Sequence, residues 1–258
     1  MSNWESKIFN NPTRPVREIL GLLLLIASML LWLWPELPTA DRAAYFEFAD
    51  ENSFGIFPNV LNVISNLPFI WIGILGGYFV HKNSMKSLRS LKVFCYWLAG
   101  ASIATGLGSS CFHLHPNPSS LTWDRLPMAI GFAAIAALII ADRIDLSLGR
   151  VSSWILIPLG MFSVLGLHVG WIDLRPYIFV QYGTLIFVLL LVLLKPPQKI
   201  PNSVWWAGVG LYVVAKIFEL ADKLVYDFTG LISGHSLKHL FAALAVYKIV
   251  SIFKEAKL

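Results

Sequence analysis

Eight stretches of this chain each hold about twenty mostly apolar residues, and that pattern constrains the fold more than any other feature. A hydrocarbon layer about 30 Å thick, crossed at about 1.5 Å per residue, needs roughly 20 such residues per helix. The stretches run from Val16 to Trp34, Ile56 to Phe79, Leu91 to Cys111, Leu121 to Ala141, Val151 to Leu167, Tyr177 to Leu194, Val204 to Ala221 and His235 to Phe253. Inside lipid a segment must satisfy its own backbone polar groups, so each is expected to be a helix. A hydrophobic share of 57% against 14% charged residues, with a mean hydropathy of +0.67, excludes an ordinary soluble domain. The fold expected is an all-α membrane protein: a seven-helix core bundle over residues 50–258, preceded in residues 1–49 by a tail, an additional transmembrane helix and an outer loop.

The basic residues test this count, because they gather in cytoplasmic loops. With a cytoplasmic N-terminus, Lys7, Arg14, Arg17, Lys82, Lys86, Arg89, Lys92, Arg143, Arg150, Lys195, Lys199, Lys254 and Lys257 fall inside, thirteen in all, against Arg42, Arg175 and Lys223 outside. Eight crossings with both termini in the cytoplasm satisfy that bias. The net charge of +5 is thereby accounted for as topology; no nucleic-acid motif accompanies it. Lys7, Arg14 and Arg17 ahead of Ile19 to Trp34 also resemble a signal peptide. The apolar run is long for one, however, and Pro38-Thr39-Ala40 lacks the small residue at the −3 position of a cleavage site. Cys95 and Cys111 both fall in helices, where buried packing is expected and no disulfide.

Polar residues within the spans collect at one depth. His235 and His239, four apart, share a helical face at the start of the last crossing; His113 ends the third and Asp124 begins the fourth. Under the charge assignment all three helix ends face away from the cytoplasm. Ionisable side chains in a membrane helix are costly and mark function. Three imidazoles with an open fourth position are the donor set of a catalytic zinc site. Asp124 supplies a carboxylate that supports the metal ligands or acts as general base, and Ser109, one turn before His113, a hydroxyl for a metal-bound oxygen or a developing oxyanion.

Blander readings stand beside these. The histidines could hydrogen-bond between helices, Asp124 could serve the helix dipole, and Ser109 could join Gly106, Gly108 and Ser110 in a small-residue contact face. His115, beside Pro116, reads as a loop residue, and His81 and His168 as solvated ones. Lys216, Glu219 and Asp222, spaced by three, read as an internal ion-pair network or as residues that orient ligands. Asn59, Asn62 and Asn66 share one face and are expected to hydrogen-bond across helices, holding the metal ligands.

The run Gly108-Ser109-Ser110-Cys111-Phe112-His113, with Asp124-Arg125-Leu126-Pro127-Met128 eleven residues after that histidine, resembles the alkaline ceramidases. Gly234-His235-Ser236-Leu237-Lys238-His239 is similar to their final-helix motif, and Asn62-Val63-Ile64-Ser65-Asn66-Leu67 to their first core helix. The resemblance spans Asp50 to Lys254. The wider group, called CREST, includes progestin and adiponectin receptors and GPI-anchor remodelling proteins. The likeness implies seven helices around an intramembrane zinc held by His113, His235 and His239, with Asp124 at its water and Ser109 nearby. It also implies hydrolysis of ceramide or a related N-acyl lipid to a fatty acid and a sphingoid-type amine. The additional amino-terminal helix is consistent with the bacterial branch and so with a bacterial inner membrane. Animal members carry a Trp-Cys-Glu-Glu-Asn calcium motif before the first core helix. This chain lacks it and has Asn59 at the expected glutamate, which counts against calcium, although oxygens of Asp50, Glu51 and Asn52 suit that ion. Two other classes remain open from sequence: a receptor-like member with a structural metal, and a haem or metal transporter.

Overall fold

The computed structural model describes residue 46 and residues 48–55, 57–82 and 86–254; the crossing expected at Val16 to Trp34 lies outside them. Seven helices among the described residues are long and apolar enough to cross a membrane: α1 (Val60–Lys82), α2 (Arg89–Leu114), α3 (Pro118–Arg143), α4 (Leu146–His168), α5 (Arg175–Leu194), α6 (Asn202–Leu220) and α7 (Gly234–Phe253). They are the seven later crossings expected from sequence, and the chain is an all-α membrane protein.

Helix starts follow from local chemistry. Asn117 opens α3 with a reciprocal capping box to Ser120 and Pro118 at the first helical position. Asp145 accepts the Leu148 N–H to open α4 at 2.8 Å, and Ser233 accepts the Ser236 N–H to open α7 at 3.1 Å. These caps carry α3 and α4 outside the apolar windows read from sequence, because capped turns continue into the interfacial layer.

Proline shapes two helices. α1 is interrupted by a turn at Ser65–Asn66 just before Pro68, which has no N–H to offer the Ile64 carbonyl. Pro127 likewise leaves the Trp123 carbonyl without its α-helical donor. A Cβ added at Gly108 of α2 would lie 2.1 Å from that oxygen, so only glycine lets α2 and α3 approach there.

α1, α2, α3, α5, α6 and α7 close into a ring, and α4 packs outside it against α3. The α3–α4 seam is built of small residues: a Cβ at Gly149 would strike Ala141, and one at Gly160 would press the Ala129 carbonyl. Apolar side chains turn outward, including Trp71, Trp154 and Leu193, as a lipid solvent allows. Cys95 is buried, but Cys111 is exposed on this outer face, which corrects the expectation that both pack inside; neither forms a disulfide.

The spans alternate in direction. α1, α3, α5 and α7 begin, and α2, α4 and α6 end, at the histidine end. Lys82, Arg89, Arg143, Arg150, Lys195 and Lys254 mark the opposite end. There Arg143 is not a loop residue: it pairs with Asp142 at 3.0 Å, both side chains fully buried, and donates to the Ile200 carbonyl at 2.9 Å. Asp142 accepts the Lys199 and Ile200 N–H groups, pinning the α5–α6 connection.

Candidate metal centre

His113 in the last turn of α2 and His235 and His239 in the first turns of α7 converge, with ligand atoms all within 4.8 Å of one another. The ring centroids are 4.9 Å apart for His113 and His235, 5.1 Å for His113 and His239, and 4.8 Å for His235 and His239. His113 is 1% exposed and His239 4%. His239 also hydrogen-bonds across helices, to Ser65 of α1.

The surroundings aim these rings. The Ser65 hydroxyl donates its one proton to the Asn62 carbonyl at 2.9 Å and lies 2.8 Å from His239 Nδ1. With that proton spent, Ser65 Oγ accepts from Nδ1–H, which leaves the Nε2 lone pair of His239 for the centre. The break in α1 before Pro68 is what turns Ser65 to this position. Asn59, whose φ of 50° is left-handed, donates to the His113 carbonyl at 2.9 Å. Asn62, fully buried, accepts the Ser236 hydroxyl at 2.8 Å and so grips α7 between its two histidines. Asp222 accepts the His235 N–H at 2.7 Å and the Ala49 N–H at 3.2 Å. A Cβ on Gly234 would lie 2.2 Å from the Phe218 carbonyl, so glycine alone fits where α7 meets this corner. Asn59 and Asn62 thus hydrogen-bond across helices as expected, to the His113 carbonyl and to Ser236; Asn66 instead donates within α1, to the Asn62 carbonyl. Of the acidic and basic stripe, Lys216 pairs with Glu219, whereas Asp222 orients His235.

The donor set fits a divalent transition metal. His113 Nδ1 is buried without a hydrogen-bond partner, an orphan that a cation would satisfy, and three neutral imidazoles with no thiolate suit zinc. Phe48 packs on His113 at 4.6 Å and on His235 at 5.4 Å, shielding this side.

A cavity of about 380 Å³ opens beside the rings, lined by the six ring helices and not by α4. Ser109 and Asp124 line it with His235 and His239. The Ser109 hydroxyl and the Asp124 carboxylate thus share one cavity wall. Ser109 is therefore a cavity residue at 3% exposure, while Gly106 and Gly108 on its helix take the packing role, facing α1 and α3 respectively. Away from the histidines the lining is mostly apolar, with Ser102, Thr105, Thr184 and Tyr212 among it, and a π-helical turn at Phe179–Gly183 carries Gln181 and Tyr182 into the wall. His115 is exposed with its carbonyl in the α3 cap, His81 is exposed, and exposed His168 contacts Thr122.

In the segment weighed for calcium, Asp50 is buried, with one carboxylate oxygen on the Asn52 N–H and the other unpartnered. Glu51 is exposed, and the Asn52 amide donates to the Tyr226 hydroxyl.

Two contributors escaped the sequence reading. Ser65 gave no signal beyond its place in an asparagine-rich motif. Lys238 gave a clear one, an ammonium between two histidines in a membrane helix. Ser65→Ala is expected to keep the fold and lower zinc affinity about 10- to 100-fold, the usual loss when a ligand's supporting hydrogen bond is removed, as measured by chelator competition. Comparison with protein-family models and with curated proteins returns no match.

Proposed function

We propose that the protein is an intramembrane zinc-dependent amidase acting on ceramide or a related N-acyl lipid, as the alkaline ceramidases its motifs resemble do. One observation carries the reading: three imidazoles from α2 and α7 converge within 4.8 Å, and two of them, His235 and His239, line a cavity together with a carboxylate and a hydroxyl. His113, His235 and His239 would hold the ion. A zinc ion bound there supplies a Lewis acid for the amide carbonyl and lowers the pKa of water toward about 7.

Asp124 accepts the proton of the attacking water and returns it to the leaving nitrogen. The Ser109 hydroxyl has one proton. It holds the Asp124 carboxylate at rest and is free to turn to the carbonyl oxygen once Asp124 is protonated. No acyl-enzyme is needed. The cavity wall follows α7 from His235 to Ile249, about 20 Å at about 1.5 Å per residue. That exceeds the roughly 15 Å of hydrocarbon in one leaflet, so an acyl chain can lie inside while the amide meets the histidines. The bias of basic residues to the opposite end supports a site on the non-cytoplasmic side; with the additional amino-terminal crossing, which lies outside the described residues, both termini would be cytoplasmic, as proposed for a bacterial inner membrane.

The test is metal analysis of purified protein together with fatty-acid release from a panel of N-acyl lipids. About one zinc per chain is expected, the number a three-imidazole site holds, with release lost on chelation and restored by zinc. Release that persists after complete zinc removal overturns the reading.

A further inference from the structure

A second groove lies away from the histidines. It encloses about 650 Å³ between α2 and α4, and none of its lining residues lines the histidine cavity. Its wall is ordered along the helix axes. At the basic end stand Arg89 of α2 and Arg150 of α4, both exposed and neither in an ion pair among the described residues. Ser90, also in the wall, accepts from Lys199 Nζ at 2.6 Å, which brings a further cation to the rim. Lys92 lines this end too and has contacts of its own. No aspartate or glutamate lines the groove. Asp145, just before α4, accepts the Leu148 N–H that caps that helix, and Asp142 pairs with Arg143.

Further along the same two helices the wall turns aromatic and then apolar: Trp97 on α2 and Trp154 on α4, followed by Ile157 and Met161. Trp154 is 79% exposed, a placement that suits tryptophan at the level of lipid headgroups. From Arg150 to Met161 the groove follows α4 for about 16 Å at about 1.5 Å per residue, comparable to the roughly 15 Å of hydrocarbon in one leaflet. Membrane topology by itself asks for positive charge at this end, but not for arginines that line a groove with an aromatic and apolar wall below them.

We infer that this groove binds one anionic phospholipid of the leaflet at the basic end, its phosphate at Arg89 and Arg150 and an acyl chain against Trp97, Trp154 and Ile157. A guanidinium offers a planar fork of donors that matches phosphate oxygens, and basic pockets between transmembrane helices are where acidic headgroups are held. A second copy of this chain is the poorer occupant, because its own rim is equally basic. The site shares no residue with the histidine centre, so it stands or falls apart from the amidase reading.

The test uses the full-length protein in discs of phosphatidylcholine with a minority of phosphatidylglycerol, and counts retained lipid by native mass spectrometry. Phosphatidylglycerol is expected at least about tenfold above its share of the disc, the size of two basic residues that each contribute about fivefold. Arg89→Gln/Arg150→Gln should erase that enrichment. Arg89→Lys/Arg150→Lys should keep it, which separates loss of charge from loss of fold. Lys82→Gln/Lys254→Gln removes the same charge from the same end outside the groove and should leave the enrichment unchanged. Glycerol phosphate, an anion without chains, should not displace the lipid. The inference is overturned by an unmodified protein that shows no enrichment, or by enrichment that survives loss of both arginines. It is overturned equally by loss in the lysine pair, by the same loss in Lys82→Gln/Lys254→Gln, which would mean diffuse charge, or by displacement with glycerol phosphate, which would mean a site for free anions.

Discussion

Replacing His239 with alanine is expected to abolish zinc retention and amide hydrolysis together. Its ring is one of only three imidazoles among the described residues that converge, and the Ser65 hydroxyl at 2.8 Å holds it. Two imidazoles do not make the three-ligand set from which catalytic zinc is built. The substitution leaves α7 capped by Ser233 and gripped by Asn62 through Ser236, so the helix persists and the loss reads as a loss of the metal. His115→Ala supplies the contrast: it changes an exposed side chain two residues from His113 and should leave both zinc and turnover intact. Elemental analysis and fatty-acid release on the same preparations decide the matter. A zinc-loaded, fully active His239→Ala protein would refute the centre.

Why the histidine centre could be read from the chain, and its neighbours could not, is a matter of which coordinates a sequence carries. Hydrophobic length gives depth. It assigned His113, Asp124 and the His235–His239 pair to one level because each lies at a span end and the spans alternate. The i, i+4 interval then gave direction, since both rings must leave one face of α7. The seven later crossings were legible for the same reason, although their ends shift: caps such as Asn117 and Asp145 carry α3 and α4 past their apolar stretches, and α1 runs from Val60 to Lys82 rather than from Ile56 to Phe79.

What depth does not give is rotation of one helix against another. Ser65 meets His239 only because α1 breaks before Pro68, and the sequence shows the proline without showing which way the freed turn points. Cys111 was read as packing and faces outward, since a helix in lipid has no polar face from which to infer its inner one. The stripe Lys216, Glu219 and Asp222 was visible as a period. Its division into an ion pair and a residue that aligns His235 was not, because the chain turns into the short helix Asp222–Thr229 directly after α6. Pro127 belongs with these. Paired with Gly108, it explains how Asp124 and Ser109 come to share a wall, yet neither residue announces the other.

Asp124→Asn is expected to keep zinc and lose rate, and the two halves of that outcome rest on different observations. Zinc is kept because the three converging donors are imidazoles and the carboxylate is not among them. Position is kept because asparagine has the shape of aspartate, so the side chain stays in the wall it shares with Ser109 and the close α2–α3 contact at Gly108 is untouched. Basicity is lost, since an amide cannot take the proton of the attacking water. General base catalysis contributes about 10²- to 10⁴-fold, so kcat should fall by that factor with KM nearly unchanged. That equals roughly 3 to 5 kcal/mol in the barrier. The comparison with Ser109→Ala sharpens the assignment. If the hydroxyl chiefly steers the carboxylate, its removal should cost much less in Asp124→Asn than in the unaltered protein, because the base it would steer is already gone. An Asp124→Asn protein that turns over within about tenfold of the original rate would free the carboxylate from any part in proton transfer and move that duty to another group lining the cavity.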